Sequence, residues 1–420
     1  MVVAATPATV AIVGAGQAGL QVAATLREQG YEGRLVLIGD EPHAPYQRPP
    51  LSKGYLLGEV GAAQISLRPP AYFEKQRIQL VTGKRAVGVD RGRRKVQLDD
   101  GAVVAYDQLV LATGARNRPL PVPGADLRNV CFLRTLDDAE VLRARLPAAK
   151  HVVVVGAGFI GLELAAAAVK LGASTCVLDI ATRPMARALS TAMSAIVARE
   201  HAQLGVRLRL ETQVLRFLGT GGCVSAVETV DGEVLPADLV VIGIGVVPNV
   251  ELAAGCGLAV DDGIVVDELL QTSDSNISAV GDVVAHPSPY ASGRRVRLES
   301  VQNAADQARC VAQRILGRPA AYQTVPWFWS HQGSLKLQMA GLPSAFCEEV
   351  VRGDALTAAC SVFLFHERQL VCVESLNRPA DHMLARRLLG NRVDVTPQQA
   401  ADLSFDLKTF LAGASQAAAE

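Results

Sequence analysis

Val10-Ala11-Ile12-Val13-Gly14-Ala15-Gly16-Gln17-Ala18-Gly19, near the start of the chain, and Val152-Val153-Val154-Val155-Gly156-Ala157-Gly158-Phe159-Ile160-Gly161, in its middle, follow one program. Each opens with a short apolar, β-branched run, as expected of a parallel strand buried on both faces. Each then meets three glycines and enters a helical stretch. The first runs from Ala18 to Gln29 and ends near Gly30, and the second closes near Gly172. A new strand follows, Leu35–Ile38 or Thr175–Leu178, and delivers an acid, Asp40 or Asp179. A single G-x-G-x-x-G is weak evidence, because many glycine turns hold no ligand. Two copies are different when each lies between strand and helix and each has an acid roughly 20 residues on, the setting of a dinucleotide fingerprint. Two glycines let the backbone approach a pyrophosphate, the third lets helix and strand pack closely, and the helix N-terminus favours the anion.

Outward from these turns, each unit ends on an apolar strand that breaks into glycine: Asp107–Gly114, with Thr113 at its end, and Asp238–Gly245. Ile277-Ser278-Ala279-Val280-Gly281-Asp282 reads as a further short strand, and a helical segment follows from about Gln302 to Leu316. After about residue 322 the texture changes to Pro326-Trp327-Phe328-Trp329 and strand-like segments around Leu335–Met339, Ala359–Phe365 and Leu370–Glu374. Thr396-Pro397-Gln398-Gln399 has the form of a capping box for a closing helix. The expected fold is α/β, with two Rossmann-like dinucleotide-binding domains and a C-terminal α+β domain. The first domain takes 1–115 and 247–322, the second is inserted over 116–246, and the last occupies 323–420.

Lys plus Arg equals Asp plus Glu at 41 each, so the overall charge points neither to nucleic acid nor to a membrane surface. No apolar run approaches the roughly 20 residues that span a bilayer. Met1–Thr6 shows no basic segment ahead of an apolar stretch, so no signal peptide and a cytoplasmic location are expected. The eight cysteines are widely spaced, with no C-x-x-C, so neither a metal site nor a redox-active pair is expected. Pro49-Pro50-Leu51-Ser52-Lys53-Gly54, where a disulfide reductase would carry its cysteines, contains none. Asp179 favours NADH, since a carboxylate bonds free ribose hydroxyls and repels a 2′-phosphate. Arg183 and Arg187 stand close enough in sequence to oppose that preference, or are solvated basic residues. Glu163, two residues past Gly161, and Lys53 are expected to form an ion pair at a hydride-transfer site, the alternative being two surface charges.

From end to end the sequence resembles the NADH-dependent ferredoxin reductases of bacterial oxygenase systems, the putidaredoxin-reductase-like group. The residues that carry the resemblance are the two glycine motifs, Arg48-Pro49-Pro50-Leu51-Ser52-Lys53, Leu111–Arg116, Leu133-Arg134-Thr135, Ala279–Asp282, Arg297–Val301 and Pro326–Ser330. The resemblance implies a glutathione-reductase-like architecture, with FAD on the first fingerprint (Gly14, Gly16, Ala18, Gly19) and NADH on the second (Gly156, Gly158, Phe159, Ile160, Gly161, Glu163, Asp179, Gly245). It implies FAD contacts from Asp40, Arg48, Lys53, Ala86, Thr113, Gly114, Arg134, Asp282 and Val301. Asp282 would bond the ribityl chain, and Val301 would offer a backbone N–H at a helix start whose dipole favours the reduced flavin. Trp329 matches an aromatic beside the flavin, the alternative for Trp327 and Trp329 being core packing.

By the same resemblance Lys53, Glu163 and Trp329 serve the reaction. Electrons pass from NADH through FAD to a [2Fe–2S] ferredoxin, and so to a cytochrome P450 or ring-hydroxylating oxygenase. Arg294, Arg295, Arg386 and Arg387 are docking candidates for an acidic ferredoxin, or scattered solvated charge. The sequence departs from the group at His331, where an acid is usual. The rivals are an NADH-sensing flavoprotein of the apoptosis-inducing-factor type and a rubredoxin reductase. An NADH oxidase or peroxidase is disfavoured by the missing cysteine.

Overall fold

The structure, a computed structural model, describes residues 9–344 and 347–417. Met1–Thr6 lies outside them. The chain folds as two compact units. One holds the chain up to Gln47, Ala63–Arg116 and Val247–Pro326; the other holds Arg48–Ala62, Asn117–Val246 and the chain from Trp327 onward.

In the first unit a parallel sheet runs in the order Ile277–Ala279, Gln108–Leu111, Thr9–Val13, Arg34–Ile38, Ile78–Val81. Its central strands are apolar because both faces are covered, and Val10, Ala11, Ile12, Val110 and Leu111 are solvent-free. Helix Gln17–Glu28 packs against helix Val301–Ile315. An antiparallel meander, Ala86–Asp90, Lys95–Leu98 and Val103–Ala105, lies in sequence between the third strand of the sheet and the exit strand.

The second unit repeats the plan. Its parallel sheet has the order Arg207–Arg209, Ser174–Leu178, His151–Val155, Leu239–Ile242, Val130–Cys131. The same kind of meander, Val214–Thr220, Cys223–Thr229 and Val234–Pro236, again precedes the exit strand. The internal repeat is thus deeper than the sequence reading, which found the strands and glycine turns but not the meanders.

Within the same unit the C-terminal segment forms an antiparallel sheet, Trp327–Gln332, Leu335–Gly341, Gln369–Leu376, Ala359–His366, Glu348–Asp354. Three of these strands are legible in the sequence. Glu348–Asp354 hides because it is an edge strand, largely exposed and rich in charge, which is how edges avoid pairing with other chains. The capping box forms, with Thr396 N to Gln399 Oε1 at 2.9 Å and Gln399 N to Thr396 Oγ1 at 3.2 Å. Its helix stops at Ala401, however, and Leu407–Ala417 is the closing helix. No helix among the described residues is long and apolar enough to cross a membrane.

Two glutamates of the antiparallel sheet cap helix Thr191–Gln203. Glu349 accepts from the backbone of Thr191 and Ala192 at 2.7 and 2.9 Å. Glu374 accepts from Ser190 N at 2.8 Å and Ser190 Oγ at 2.5 Å. Glu374 is fully buried, and burial outweighs these donors, pushing its carboxyl up from 4.5 to about 7. A raised folded-state pKa means that the fold holds the proton more tightly than the unfolded chain. That stability is complete below pH 4.5 and is lost as pH rises through about 7, a loss of about 3 kcal/mol. Apparent Tm measured across this window should therefore fall with pH in the parent and fall less in Glu374→Gln; an equal decline in both would contradict the assignment.

Candidate functional site

The two glycine turns sit where each sheet reverses its strand order. Strand Thr9–Val13 has Arg34–Ile38 on one side and Gln108–Leu111 on the other, so the chain's two excursions part at its C-terminal end. His151–Val155 stands the same way between Ser174–Leu178 and Leu239–Ile242. Such a switch point opens a crevice beyond the strand ends, the usual ligand position in an open parallel sheet. Gly14 takes φ +114°, and a Cβ there would strike the carbonyl oxygen of Ala112; Gly156 takes φ +111° and would strike that of Gly243. Only glycine fits either place.

Gly16 and Gly158 differ, because a Cβ on either would meet nothing within 4 Å. Each is the N-cap of the helix that follows, no side chain caps that helix, and neither first turn contains an acid. An open space at an uncapped helix end, approached by bare backbone, fits the pyrophosphate of a dinucleotide.

The acids lie at the expected strand ends in different surroundings. Asp179 is half-buried and accepts from Ala157 N at 2.6 Å and Ala181 N at 2.8 Å, which ties it to the glycine turn. Asp40 is exposed, with Arg85 at 3.9 Å. Arg183 spends its guanidinium on the carbonyls of Leu189, Ser190 and Ala186 at 2.7, 3.3 and 3.0 Å, so it braces its own loop and is not aimed at a phosphate. Arg187 is exposed beside Gly245.

Asp282 follows Gly281, whose N–H donates to Gln307 at 2.7 Å and whose α-carbon faces Ala18 of the first glycine helix. Val301 is the first residue of its helix, capped by Ser300 through Asn303 N at 3.0 Å. Ala86 opens its meander strand, half-buried. Thr113 is committed to the protein: its hydroxyl donates to Asn249 O at 2.8 Å, and Asn249 donates back to Thr113 O at 2.8 Å and to Gly114 O at 2.9 Å. Asn249, missed in the sequence, therefore holds the exit loop. Arg48 donates to Arg134 O at 2.5 Å.

In the second unit Lys53 and Glu163 meet at 2.6 Å. Glu163 is 4% exposed and is a hub. Its Oε2 accepts from Lys53 and from Ser52 Oγ, the latter at 2.5 Å, while Oε1 accepts from Ser330 Oγ at 2.5 Å. Lys53 also donates to Pro49 O at 3.1 Å. A buried carboxylate is tolerable only when its oxygens are satisfied this way. The partners come from the Arg-Pro-Pro-Leu-Ser-Lys loop and from strand Trp327–Gln332.

That strand alternates, as any strand must. Phe328, Ser330 and Gln332 point to helix Phe159–Lys170, with Phe328 packed on Phe159 at 4.6 Å between ring centroids. Trp327, Trp329 and His331 occupy the other face. Trp327 and Trp329 are half-buried with ring centroids 5.4 Å apart, and Arg386 lies 4.6 Å from the Trp327 ring centroid. Arg386 is thus held in place, whereas Arg294, Arg295 and Arg387 are exposed. Ile160 is exposed at the start of the glycine helix. His331 lies on the open side, yet partial burial and then the Lys53 charge hold its imidazole below the ordinary value. The sequence reading missed Ser52, Ser330 and Gln332, although the period-2 register puts the last two on one face with Phe328. Nothing in the sequence marked His201, which bonds Gln332 at 3.1 Å.

All eight cysteines are free. Burial pushes the thiols of Cys131, Cys176, Cys256, Cys310, Cys360 and Cys372 up, away from thiolate chemistry.

Residues 8–308 match the family model described as pyridine nucleotide-disulphide oxidoreductase, and residues 327–411 match a reductase C-terminal domain. Rhodocoxin reductase of Rhodococcus erythropolis is 51% identical over 404 residues, covering 96% of this chain and 94% of that protein. The crystal structure of the ferredoxin reductase for the CYP199A2 system from Rhodopseudomonas palustris superposes with a TM-score of 0.94 at 48% identity, covering 96% of this chain and all of the other. The reductase in the covalent putidaredoxin reductase–putidaredoxin complex does so with a TM-score of 0.94 at 42% identity, covering 97% and 99%.

The open space at Gly16 and Gly158 separates fold from ligand. Gly16→Val should leave the apoprotein's Tm and circular dichroism unchanged but cut bound flavin about tenfold. Gly158→Val should keep its flavin and raise the NADH concentration for half-maximal rate about tenfold, the scale of one poorly accommodated contact. Full flavin in the first variant, or unchanged NADH saturation in the second, would contradict the fit.

Proposed function

The chain belongs to the pyridine nucleotide-disulphide oxidoreductase family, and from that membership we propose that it is an FAD-dependent ferredoxin reductase. It takes reducing equivalents from NADH and passes them to a [2Fe–2S] ferredoxin that serves a cytochrome P450 or another oxygenase. The observation that carries this reading is the joint presence of two uncapped glycine turns and a chain-long likeness to reductases of rhodocoxin, putidaredoxin and a P450-system ferredoxin. The absence of a cysteine pair in the Pro49–Gly54 loop and the burial of four thiols, Cys131, Cys176, Cys360 and Cys372, argue against disulfide chemistry despite the family's description.

FAD, when bound, supplies the exchange between the two-electron hydride of NADH and the single electrons an iron–sulfur protein accepts. Gly14, Gly16, Ala18 and Gly19 are assigned to its pyrophosphate side and Asp40 to its ribose. Ala86, Gly114, Asp282 and the helix start at Val301 are assigned to the remainder of the cofactor. Thr113 contributes through its backbone, since its hydroxyl is committed to Asn249. Arg48, Lys53, Arg134 and Trp329 keep the assignment that the sequence resemblance gives them.

Gly156, Gly158, Phe159, Ile160, Gly161 and Gly245 are assigned to NADH, with Asp179 selecting against a 2′-phosphate. The commitment of Arg183 to backbone carbonyls supports that choice. Lys53 and Glu163 are assigned to the reduction step, where the work of the protein is orientation and electrostatics. We place the protein in the cytoplasm, where eight unpaired cysteines stay reduced.

Rapid mixing with NADH under anaerobic conditions should bleach the flavin, and a [2Fe–2S] ferredoxin added next should restore it. Restoration by rubredoxin alone would turn the reading to a rubredoxin reductase. Bleaching with no iron–sulfur or rubredoxin acceptor would favour an NADH sensor. Glu163→Gln removes the charge that faces Lys53, and the bleaching rate should fall at least about tenfold, as expected when a charge-assisted hydrogen bond is lost. An unchanged rate would remove Glu163 from the reaction. Catalytic efficiency with NADPH equal to that with NADH would contradict the role of Asp179.

A further inference from the structure

A second set of polar side chains reaches Glu163 through its Oε1. Gln332 Nε2 lies 3.1 Å from the carbonyl oxygen of Phe159 and 2.7 Å from Ser330 Oγ, and Gln332 Oε1 lies 3.1 Å from His201 Nε2. A carbonyl oxygen can only accept, so the amide group that faces Phe159 is the NH2, and chemistry fixes the amide orientation. Oε1 therefore faces His201, whose Nε2 carries the proton. Nδ1 is then the bare nitrogen, and it is buried with no hydrogen-bond partner among the described residues.

Because Gln332 donates to Ser330 Oγ, the serine proton is left to point at Glu163 Oε1, 2.5 Å away. Each bond runs the same way, from His201 through Gln332 and Ser330 to the carboxylate. His201, Gln332, Ser330 and Glu163 are 0, 1, 0 and 4% exposed, so solvent does not replace a missing link. Burial also holds the His201 imidazole below its ordinary value, which keeps it neutral and the direction of the chain fixed.

The four residues come from three elements: helix Phe159–Lys170, helix Thr191–Gln203 and strand Trp327–Gln332. Resting on the assignment of Glu163 to the reduction step, we infer that Gln332 is a positioning residue for the reaction. His201 orients its amide, and the amide, through Ser330, fixes the carboxylate of Glu163 against the helix that carries it. Lys53 and Ser52 hold the other carboxylate oxygen, so loss of the Ser330 side lets the group rotate about a single anchored atom.

The test is anaerobic stopped-flow reduction by NADH of the parent holoenzyme, Ser330→Ala, Gln332→Leu, Glu163→Gln and the double variant of the last two. The limiting rate should fall about tenfold in Ser330→Ala and Gln332→Leu, with the NADH concentration for half that rate changed less than about twofold. Adding Gln332→Leu to Glu163→Gln should slow the reaction no further, as for residues that act through one another. Ser330→Ala breaks the link while leaving the bond from Gln332 to Phe159, so it decides the matter even if Gln332→Leu folds poorly. A parental rate in Ser330→Ala beside a slow Glu163→Gln would overturn the inference and leave the role of Glu163 standing. Additive losses in the double variant would also overturn it. A parental rate in Glu163→Gln would instead remove the assignment on which it rests. Independently of turnover, nitrogen NMR of histidine-labelled protein should show His201 neutral with its proton on Nε2 from about pH 7.5 to about pH 9. A proton on Nδ1 would overturn the direction of the chain.

Discussion

Everything in the architecture depends on a close crossing of backbone, where the chain leaves a buried parallel strand and passes beside the carbonyl at the end of its neighbour. A side chain at Gly14 would collide with Ala112, and one at Gly156 with Gly243. With the Cβ absent, the strand turns at once into a helix that lies against the sheet, and the helix start stays bare. The same crossing separates the chain's two excursions from the central strand and leaves a crevice between them. Strand order, helix placement and the crevice at the strand ends are consequences of one steric allowance, used twice.

The second organising feature is the burial of Glu163. Its carboxylate draws Ser52 and Lys53 from one loop and Ser330 from the C-terminal sheet, so a loop and a sheet remote in sequence converge on the helix of the second glycine turn. Gln332, Phe328 and the capping glutamates 349 and 374 add further contacts between that sheet and the rest of its unit. Polar convergence on a buried charge specifies one arrangement where apolar packing alone would tolerate several. In that light the C-terminal sheet helps to fix the helix of the second glycine turn.

Much of this was legible in the sequence because it rests on local rules. Short β-branched runs, glycines at fixed spacing and an acid at the next strand end announce the crossing and its repetition. The ion pair of Lys53 with Glu163 could be anticipated from the loop and helix that carry them. What stayed hidden depends on register and tertiary contact. The meanders at Ala86–Ala105 and Val214–Pro236 are short, partly exposed and weakly patterned. Thr113 could be named as a site residue, but only the fold shows that Asn249 takes its hydroxyl. Arg183 reads as a phosphate ligand or a loose charge until three backbone carbonyls are found around it. His201 has no signal at all, since its meaning comes from Gln332, 131 residues later.

The central claim is that the chain converts a two-electron donor into single-electron deliveries to an iron–sulfur protein. Its most direct test is stoichiometry, with limiting NADH added anaerobically to excess [2Fe–2S] ferredoxin and a trace of the protein, and both species followed by absorbance. The account predicts that about two ferredoxins are reduced for each NADH consumed, the ratio that two-electron to one-electron chemistry demands. NADH consumed without reduction of the iron–sulfur centre, or no consumption at all, would contradict it.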